Sequence, residues 1–202
     1  ENLKEFAESI TTSGKILLKL INDVLDLSKI EAGKLELNYT PIHIDKILSD
    51  MKTIFSQKIE EKNLKLITEI ESNVPEYLIL DETRLRQILL NLIGNAVKFT
   101  DTGLVRVIVS TEFKTNQKRK VDLKIQIEDT GIGIPSKDKE KIFEAFSQSD
   151  GQDHNRYGGT GLGLTIAKKM VQLMNGEMSM VSEAGKGTMF VLKFLNVSIS
   201  SI

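Results

Sequence analysis

The beginning of the chain has the hydrophobic spacing of a long helix. Apolar residues recur there every seven positions, at Leu3, Ile10, Leu17 and Val24. Such a stripe is typical of a helix that packs against another helix. We predict one helix over residues 1 to about 32, with Gly33 as its C-terminal stop.

Beyond Pro41, helix and strand patterns follow one another. Helical spacing continues to about Lys62, and a helix N-capped by Asp81 is predicted to end near Lys98. Apolar and polar positions alternate, as they do in strands, over residues 64–70, 105–109, 121–127, 177–181 and 189–194.

A long loop and a final helix separate the third and fourth of these strands. The loop begins at Ser136, has little regular pattern and runs for roughly 25 residues, a length typical of a functional lid. The helix is predicted over 162–174. We expect a first domain over 1–37, a second over 38–196, and a tail or linker over 197–202.

The composition indicates a globular protein and excludes several classes. A chain of 202 residues with 40% hydrophobic content can bury a core. Lys and Arg (27) nearly balance Asp and Glu (28), so the net charge of -1 disfavours nucleic acid and anionic membrane as partners. Because cysteine is absent, disulfides are excluded and the cytoplasm is the expected compartment.

The sequence also lacks targeting and membrane signals. No apolar run approaches the ~20 residues that a membrane helix requires, so any membrane anchor is expected outside this chain. The chain shows neither a signal peptide nor an initiator methionine. We therefore expect it to be part of a longer protein.

The helix after Asp81 carries two different faces. Its apolar residues form one stripe, while Asn91, Asn95 and Lys98 form another about 110° away at 3.6 residues per turn. Asparagine is unfavourable inside helices, which calls for a reason. Amide oxygens suit Mg²⁺, and a lysine one turn further on could meet phosphates. A solvated polar face is the alternative for this stripe taken alone.

A carboxylate follows the strand over 121–127. Asp129 lies at the C-terminal end of that strand, where pockets of α/β proteins open. It could accept a hydrogen bond from an adenine amino group, and Gly131 and Gly133 would let the backbone approach the ring. The alternative is an ordinary Asp-Thr-Gly turn.

Glycines mark the entry to the last helix: the segment reads Gly158-Gly159-Thr160-Gly161-Leu162-Gly163. Backbone N–H groups at the positive end of that helix would point at a polyphosphate. The spacing matches neither the dinucleotide fingerprint nor the P-loop.

Four residues of the preceding loop could serve the lid. Phe143 and Phe146 are candidate hydrophobic anchors, although simple core packing is equally allowed. Arg156 and His154 could reach phosphates when the loop closes. A solvated loop charge is the alternative, particularly for His154.

Taken together, these segments resemble the sensor histidine kinases of two-component signalling, most closely those of the hybrid type. Five family motifs occur in the family's order: the N box Asn91-Leu-Ile-Gly-Asn-Ala-Val-Lys-Phe-Thr100, the G1 box over 129–135, the F box over 143–146, the G2 box over 159–164 and the G3 box over 185–188. Residues 17–36 resemble the second helix of the family's dimerisation and phosphoacceptor hairpin. The resemblance covers nearly all of 13–194.

The resemblance implies an α/β fold of the Bergerat type, in which a mixed β-sheet carries helices on one face, preceded here by the long N-terminal helix. It also implies ATP and Mg²⁺ as cofactors. Asn95, with help from Asn91, would ligate Mg²⁺, and Lys98 would contact phosphate. Asp129 would recognise adenine, with Thr188 assisting.

The remaining implied contacts come from the loops. The backbone over 159–163 would hold the triphosphate under the closed lid. Implied partners are the phosphoacceptor helix of the parent protein and a response-regulator receiver domain.

One family motif is missing from this sequence. The family's phosphoacceptor histidine lies in a His-Glu-x-Arg-Thr-Pro-like box, whereas the only histidines here are His43 and His154, in other contexts. We expect a chain that begins between the two hairpin helices, binds ATP and does not phosphorylate itself. We also expect a homodimer through residues 3–27, since the heptad stripe lacks its hairpin partner.

Two other functions stay open. One is an ATPase like gyrase or the mismatch-repair ATPases, in which the first N-box position is generally a glutamate that activates water. Asn91 occupies that position here, and an amide cannot accept the proton. The other is a nucleotide-gated interaction domain whose first helix docks a receiver or a second copy.

Overall fold

The computed structural model describes residues 2–113, 119–147 and 161–200, without the side chains of 2–5, 8, 9, 12, 15 and 16. The chain divides into two compact units, Glu1–Glu36 and Leu37–Ile202. Within the described ranges, none of the helices combines the length and the apolar content needed to cross a membrane.

The first unit contains helix α1, Asn2–Glu31. Its predicted stop at Gly33 is confirmed. Gly33 has a φ of 64°, and the amides of Gly33 and Lys34 donate to the carbonyls of Ile30 (3.0 Å) and Lys29 (2.9 Å). This is the hydrogen-bond pattern of a left-handed glycine cap.

The second unit contains seven strands and three α-helices within its described residues. Its elements are β1 (Thr40–Ile42), α2 (Ile44–Glu61), β2 (Lys65–Ile70), β3 (Leu78–Leu80), α3 (Glu82–Phe99), β4 (Leu104–Phe113), β5 (Lys120–Asp129), α4 (Gly163–Leu173), β6 (Gly176–Glu183) and β7 (Gly187–Ile199). Two 3₁₀ turns, Ser136–Asp138 and Lys141–Phe143, lie between β5 and α4.

The seven strands form one mixed sheet. Its order is β1-β3-β7-β5-β4-β2, and β6 also pairs with β7. Strands β2 and β4 are parallel, and the other pairs are antiparallel. Helix α3 contacts β4 and β5, α2 contacts β2, and α4 contacts β6. The predicted α/β fold with a mixed sheet and packed helices is confirmed.

The core lies between α3 and the middle of the sheet. Alternate residues of β4 and β5 are buried, as are the apolar residues on the face of α3 that lies against them. The buried positions are Val105, Val107, Val109, Leu123, Ile125 and Ile127 on the strands, and Leu85, Ile88, Leu89 and Leu92 on the helix. The alternating residues of the strands and the helically spaced residues of α3 therefore pack against each other in one interface.

The C-terminal prediction was wrong for part of its length. Residues 197–199 belong to β7 and not to a tail or linker. Val197 is buried and pairs with Val121, while Ile199 pairs with Leu78 of β3. Strand β7 links β3 to the rest of the sheet through Ser198 and Ile199. The last residues of β7 are therefore part of the fold. Strands β1 and β3 were not predicted, because three residues are too few to show alternation.

Candidate nucleotide site

Helix α3 is fixed at its start by Asp81, as predicted. One carboxylate oxygen of Asp81 accepts a hydrogen bond from the amide of Arg84 (3.0 Å), and the other accepts one from the amide of Asn38 (2.8 Å). The cap sets where the helix begins, and the buried apolar stripe sets its rotation. As a result, the second stripe of α3 is directed away from the sheet.

The amide stripe of α3 meets the beginning of α4. Asn91 and Asn95 are both half-buried, and the Asn91 side-chain amide donates to the carbonyl of Gly163 at 3.3 Å. This bond orients the Asn91 group so that its oxygen stays available as an acceptor. Helix α4 starts at Gly163 without a side-chain cap. Its first N–H groups are thus not satisfied by a capping residue, as an anion site requires.

Lys98 lies near the end of the same stripe. It is half-buried, and its ammonium nitrogen sits 4.6 Å from the centroid of the Phe99 ring. A cation over an aromatic face is held by the ring quadrupole. The structure therefore places the Lys98 charge close to the end of α3.

Asp129 ends β5 and is buried, with 8% of the residue exposed. Burial raises the pKa of its carboxyl, while the backbone N–H groups of Gly131 and Thr188 oppose this shift and Glu128 adds to it. The Gly131 amide donates to Oδ1 at 2.9 Å. A carboxylate that is costly to bury and only partly compensated by the protein is typical of a functional site.

Gly131 and Gly133 are required by the protein's own backbone. A Cβ on Gly131 would collide with the carbonyl of Phe99, and one on Gly133, which has a φ of 66°, would collide with the carbonyl of Glu183. Both glycines thus let the turn after Asp129 lie against the end of α3 and the β6–β7 turn. Their approach to a purine ring stays a prediction.

Thr188 is buried and directly opposite Asp129 in the β5–β7 register. Its hydroxyl lies 2.9 Å from that of Ser182. Because the Ser182 hydroxyl donates to the Gly187 carbonyl (2.9 Å) and accepts from the Ile134 amide (2.8 Å), Thr188 is the donor in this pair. Ser182 was not predicted as part of the site, since a serine in a strand carries no distinguishing signal.

The two phenylalanines of the loop differ. Phe143 contacts the Phe190 ring edge to face (6.5 Å between centroids) and the Lys168 ammonium (4.5 Å), and its carbonyl accepts from the Thr165 hydroxyl at 2.9 Å. It anchors the loop to α4 and β7. Phe146 is 65% exposed and has a φ of 63°, a rare conformation for a bulky residue, so core packing does not explain it.

The glycine-rich segment is described only from residue 161. Gly161 lies against the backbone of Phe146, and Leu162 is buried. The predicted site residues Arg156, Gly159 and Thr160 lie outside the described residues.

The donors around α3 suit a magnesium ion that arrives with a nucleotide. Within 2–113, 119–147 and 161–200, no group of three or more His, Cys, Asp or Glu could hold a metal. Mg²⁺ commonly takes one or two protein oxygens, substrate phosphates and water. The amide oxygens of Asn91 and Asn95 fit that limited protein share.

The fold and this site define a nucleotide-binding class, and sequence comparison identifies the same one. A sequence model described as histidine kinase-, DNA gyrase B- and HSP90-like ATPase matches residues 80–198. The chain belongs to this family. Its relatives show further that it is the ATP-binding catalytic domain of a histidine kinase.

One relative is the signal transduction histidine-protein kinase BarA of Escherichia coli strain K12. It is 42% identical over 187 residues, which cover 93% of this chain and 20% of BarA. Hybrid signal transduction histidine kinase K of Dictyostelium discoideum is 40% identical over 180 residues, covering 87% of this chain and 15% of that protein. The chain thus spans about a fifth or less of these curated relatives.

A solved structure is similar over the whole chain. The crystal structure of full-length ShkA in complex with AMPPNP matches with a TM-score of 0.84 and 31% identity, covering 100% of this chain and 40% of ShkA. The prediction of a histidine kinase from the five motifs is confirmed.

Proposed function

We propose that this domain binds Mg-ATP and transfers the γ-phosphoryl group to a histidine of a dimerisation hairpin, for relay to a receiver aspartate. The observation that carries the proposal is that two sets of polar residues, called here the carboxylate wall and the amide wall, lie on neighbouring elements: the turn after Asp129 packs on the end of α3, and the amides project from α3 itself. A buried carboxylate, Asp129, ends β5, and the amide stripe of α3 contacts the uncapped start of α4 through Asn91. The AMPPNP bound in the ShkA structure supports an adenine nucleotide here.

Each wall has its own task in this proposal. Asp129 accepts a hydrogen bond from the adenine amino group, and Thr188 assists beside it. The N–H groups that begin α4 bind the phosphates, together with Lys98. Asn95 and Asn91 ligate Mg²⁺, which when bound neutralises the charge that develops on the transferred phosphoryl group.

The nature of Asn91 favours transfer to histidine over hydrolysis. A water nucleophile needs a base, and the Asn91 amide cannot act as one; its nitrogen is moreover occupied by the Gly163 carbonyl. A histidine nitrogen needs no such base. Catalysis then depends on positioning and on charge neutralisation.

The acceptor histidine is not His43 in this proposal. His43 N-caps α2, where its Nδ1 accepts from the Lys46 amide at 3.4 Å, and its ring lies edge to face with Tyr77. These contacts support a structural role. His154 lies outside the described residues, and neither histidine has the family's phosphoacceptor sequence. We therefore propose that the chain does not phosphorylate itself.

The proposed partners are a phosphoacceptor helix, a receiver domain and a second copy of the chain. The apolar stripe of α1 supports the last of these. Ile10 (72%), Leu17 (58%) and Val24 (42%) are largely exposed, and a helix with such a stripe seeks a helical partner.

Two measurements on the chain test the proposal. Calorimetry with ATP and Mg²⁺ should show binding. When a separate hairpin carrying the phosphoacceptor histidine is supplied with labelled ATP, label should move to the hairpin faster than phosphate is released. Rapid phosphate release without labelling would support the ATPase alternative, and binding of nucleotide and receiver with neither reaction would support the interaction domain. No heat at millimolar nucleotide would refute the proposal.

A further inference from the structure

Lys62, the C-cap residue of α2, holds the end of α3. Its ammonium donates three hydrogen bonds, to the carbonyls of Val97 (2.9 Å), Lys98 (2.8 Å) and Thr100 (3.0 Å). An ammonium has three donors and no acceptor, so these bonds use its full capacity. The carboxylate of Asp101 lies 3.6 Å away and balances the charge.

These bonds complete the C-terminus of α3. A helix leaves its last four carbonyls without partners, here those of residues 96–99. The Ala96 carbonyl accepts from the amide and hydroxyl of Thr100. Lys62 takes the next two, and the Phe99 carbonyl accepts from the Ile132 amide at 3.3 Å. The Lys62 charge also faces the negative end of the helix dipole.

The same helix end supports the turn that carries Asp129. Gly131 packs so closely on the Phe99 carbonyl that a Cβ would collide with it, and Ile132 is hydrogen-bonded to that carbonyl. Asp129 is in turn held by the Gly131 amide at 2.9 Å. Lys98 belongs to the last turn of α3, whereas Asp129 is paired within the sheet. A shift of that turn would therefore change the distance between Lys98 and Asp129 and disturb the contacts of Gly131 and Ile132.

We propose that Lys62 is a positioning residue, which sets the spacing between the amide stripe of α3 and the carboxylate of Asp129 through the last turn of α3. This inference rests on the proposed nucleotide function. Lys62 touches neither cofactor nor substrate in it. Its consequence is that the affinity for a ligand spanning both walls depends on a charge in α2, outside the five family motifs.

Because the chain contains no cysteine, a single introduced thiol can be alkylated to give either a charged or a neutral side chain at position 62. In Lys62→Cys, the introduced thiol is unique. Alkylation with 2-bromoethylamine restores an ammonium at the end of a side chain with the same number of atoms as lysine, whereas iodoacetamide leaves a neutral carboxamide. Lys52, exposed on α2, offers the matched control when Lys52→Cys is given the same two treatments.

We expect the carboxamide form at position 62 to bind Mg-ATP about tenfold more weakly than the unaltered chain, within the usual range for coupled sites. The Ile132 amide should also exchange its hydrogen faster, with or without nucleotide. The aminoethyl form should recover both properties, and neither treatment at position 52 should change them. If the carboxamide form does not fold, Lys62→Gln replaces it, because its amide retains two donors.

Equal affinity and equal Ile132 protection in the charged and neutral forms would overturn the inference while leaving the proposed function intact. Equal weakness of the two alkylated forms would also overturn it, since packing and not the ammonium would then be responsible. Absence of nucleotide binding in the unaltered chain would refute the proposed function, and this inference with it.

Discussion

Helices α1 and α3 are both long and amphipathic, but their apolar stripes have opposite environments. In α3 the stripe is covered by the sheet, and Leu85, Leu89 and Leu92 are at most 1% exposed. In α1, Leu17 and Ile21 are 58% and 48% exposed. Hydrophobic periodicity thus predicted both helices correctly but did not distinguish an internal partner from an external one.

The polar faces of the two helices differ as well. The polar side of α3 carries neutral amides at helical spacing, which helix propensity disfavours. That of α1 is made mainly of charged and hydroxyl residues, and its two asparagines, Asn2 and Asn22, lie too far apart to form a stripe. Unfavourable polar residues repeated at helical spacing are therefore more informative about function than an apolar stripe, because an apolar stripe occurs in any packed helix.

The largest expected effect is on the free energy of unfolding, and it should differ between the apolar stripes of α3 and α1. Leu92→Ala should lower the free energy of unfolding by about 2–5 kcal/mol, because it removes buried contacts and leaves a cavity. Leu17→Ala, its matched control in α1, should change it by less than about 0.5 kcal/mol in the monomer. Urea unfolding at low protein concentration measures both. Similar losses in the two variants would contradict the contrast between the helices.

The next largest expected effect is on nucleotide affinity and tests the carboxylate wall. Asp129→Asn should weaken Mg-ATP binding by about a hundredfold, as for loss of a hydrogen bond to a charged group. The Gly131 amide holds the side-chain oxygen, so the new NH₂ group would face the adenine amino group, donor against donor. Calorimetry measures the loss, and unchanged affinity would remove adenine recognition from Asp129.

The same substitution should raise the free energy of unfolding at neutral pH. Burial raises the folded-state pKa of Asp129 above 3.8, so the folded state binds this proton more tightly than the unfolded state does. Stability of the unaltered chain therefore falls as pH rises through the folded pKa. The advantage of the variant should be full above that pKa and vanish below about 3.8, which thermal unfolding across pH would show.

The sequence predicted where helices begin and end but not the contacts between distant elements. Asp81, Gly33 and the apolar stripe of α3 carry local signals, and the structure confirms each of them. The Lys62 contacts could not be predicted, because a lysine at a helix end usually points to solvent and its partner carbonyls are 35–38 residues away. Likewise the pairing of Val197 and Ile199 could not be predicted, because their partners Val121 and Leu78 are distant in the sequence.

A smaller effect concerns the metal. Asn95→Ala should reduce the Mg²⁺-dependent part of ATP affinity by about tenfold, the usual cost of one lost interaction with a charged group. Titrations of ATP at several Mg²⁺ concentrations measure that part. Thr83→Ala, at an exposed position of the same helix, is the control and should leave it unchanged. A variant whose metal dependence equals that of the unaltered chain would argue for a merely solvated polar face.

The smallest effect on stability belongs to α1, where we predict a change of assembly. Leu17→Glu combined with Ile21→Glu should abolish dimerisation in sedimentation experiments, because two charges would enter the apolar seam. The free energy of unfolding of the second unit should stay within about 0.5 kcal/mol, since both positions are exposed. Thr11→Glu with Asn22→Glu adds the same charge at exposed positions off the stripe and should leave the dimer intact. If both double variants sediment like the unaltered chain, the α1 stripe has a partner other than a second copy.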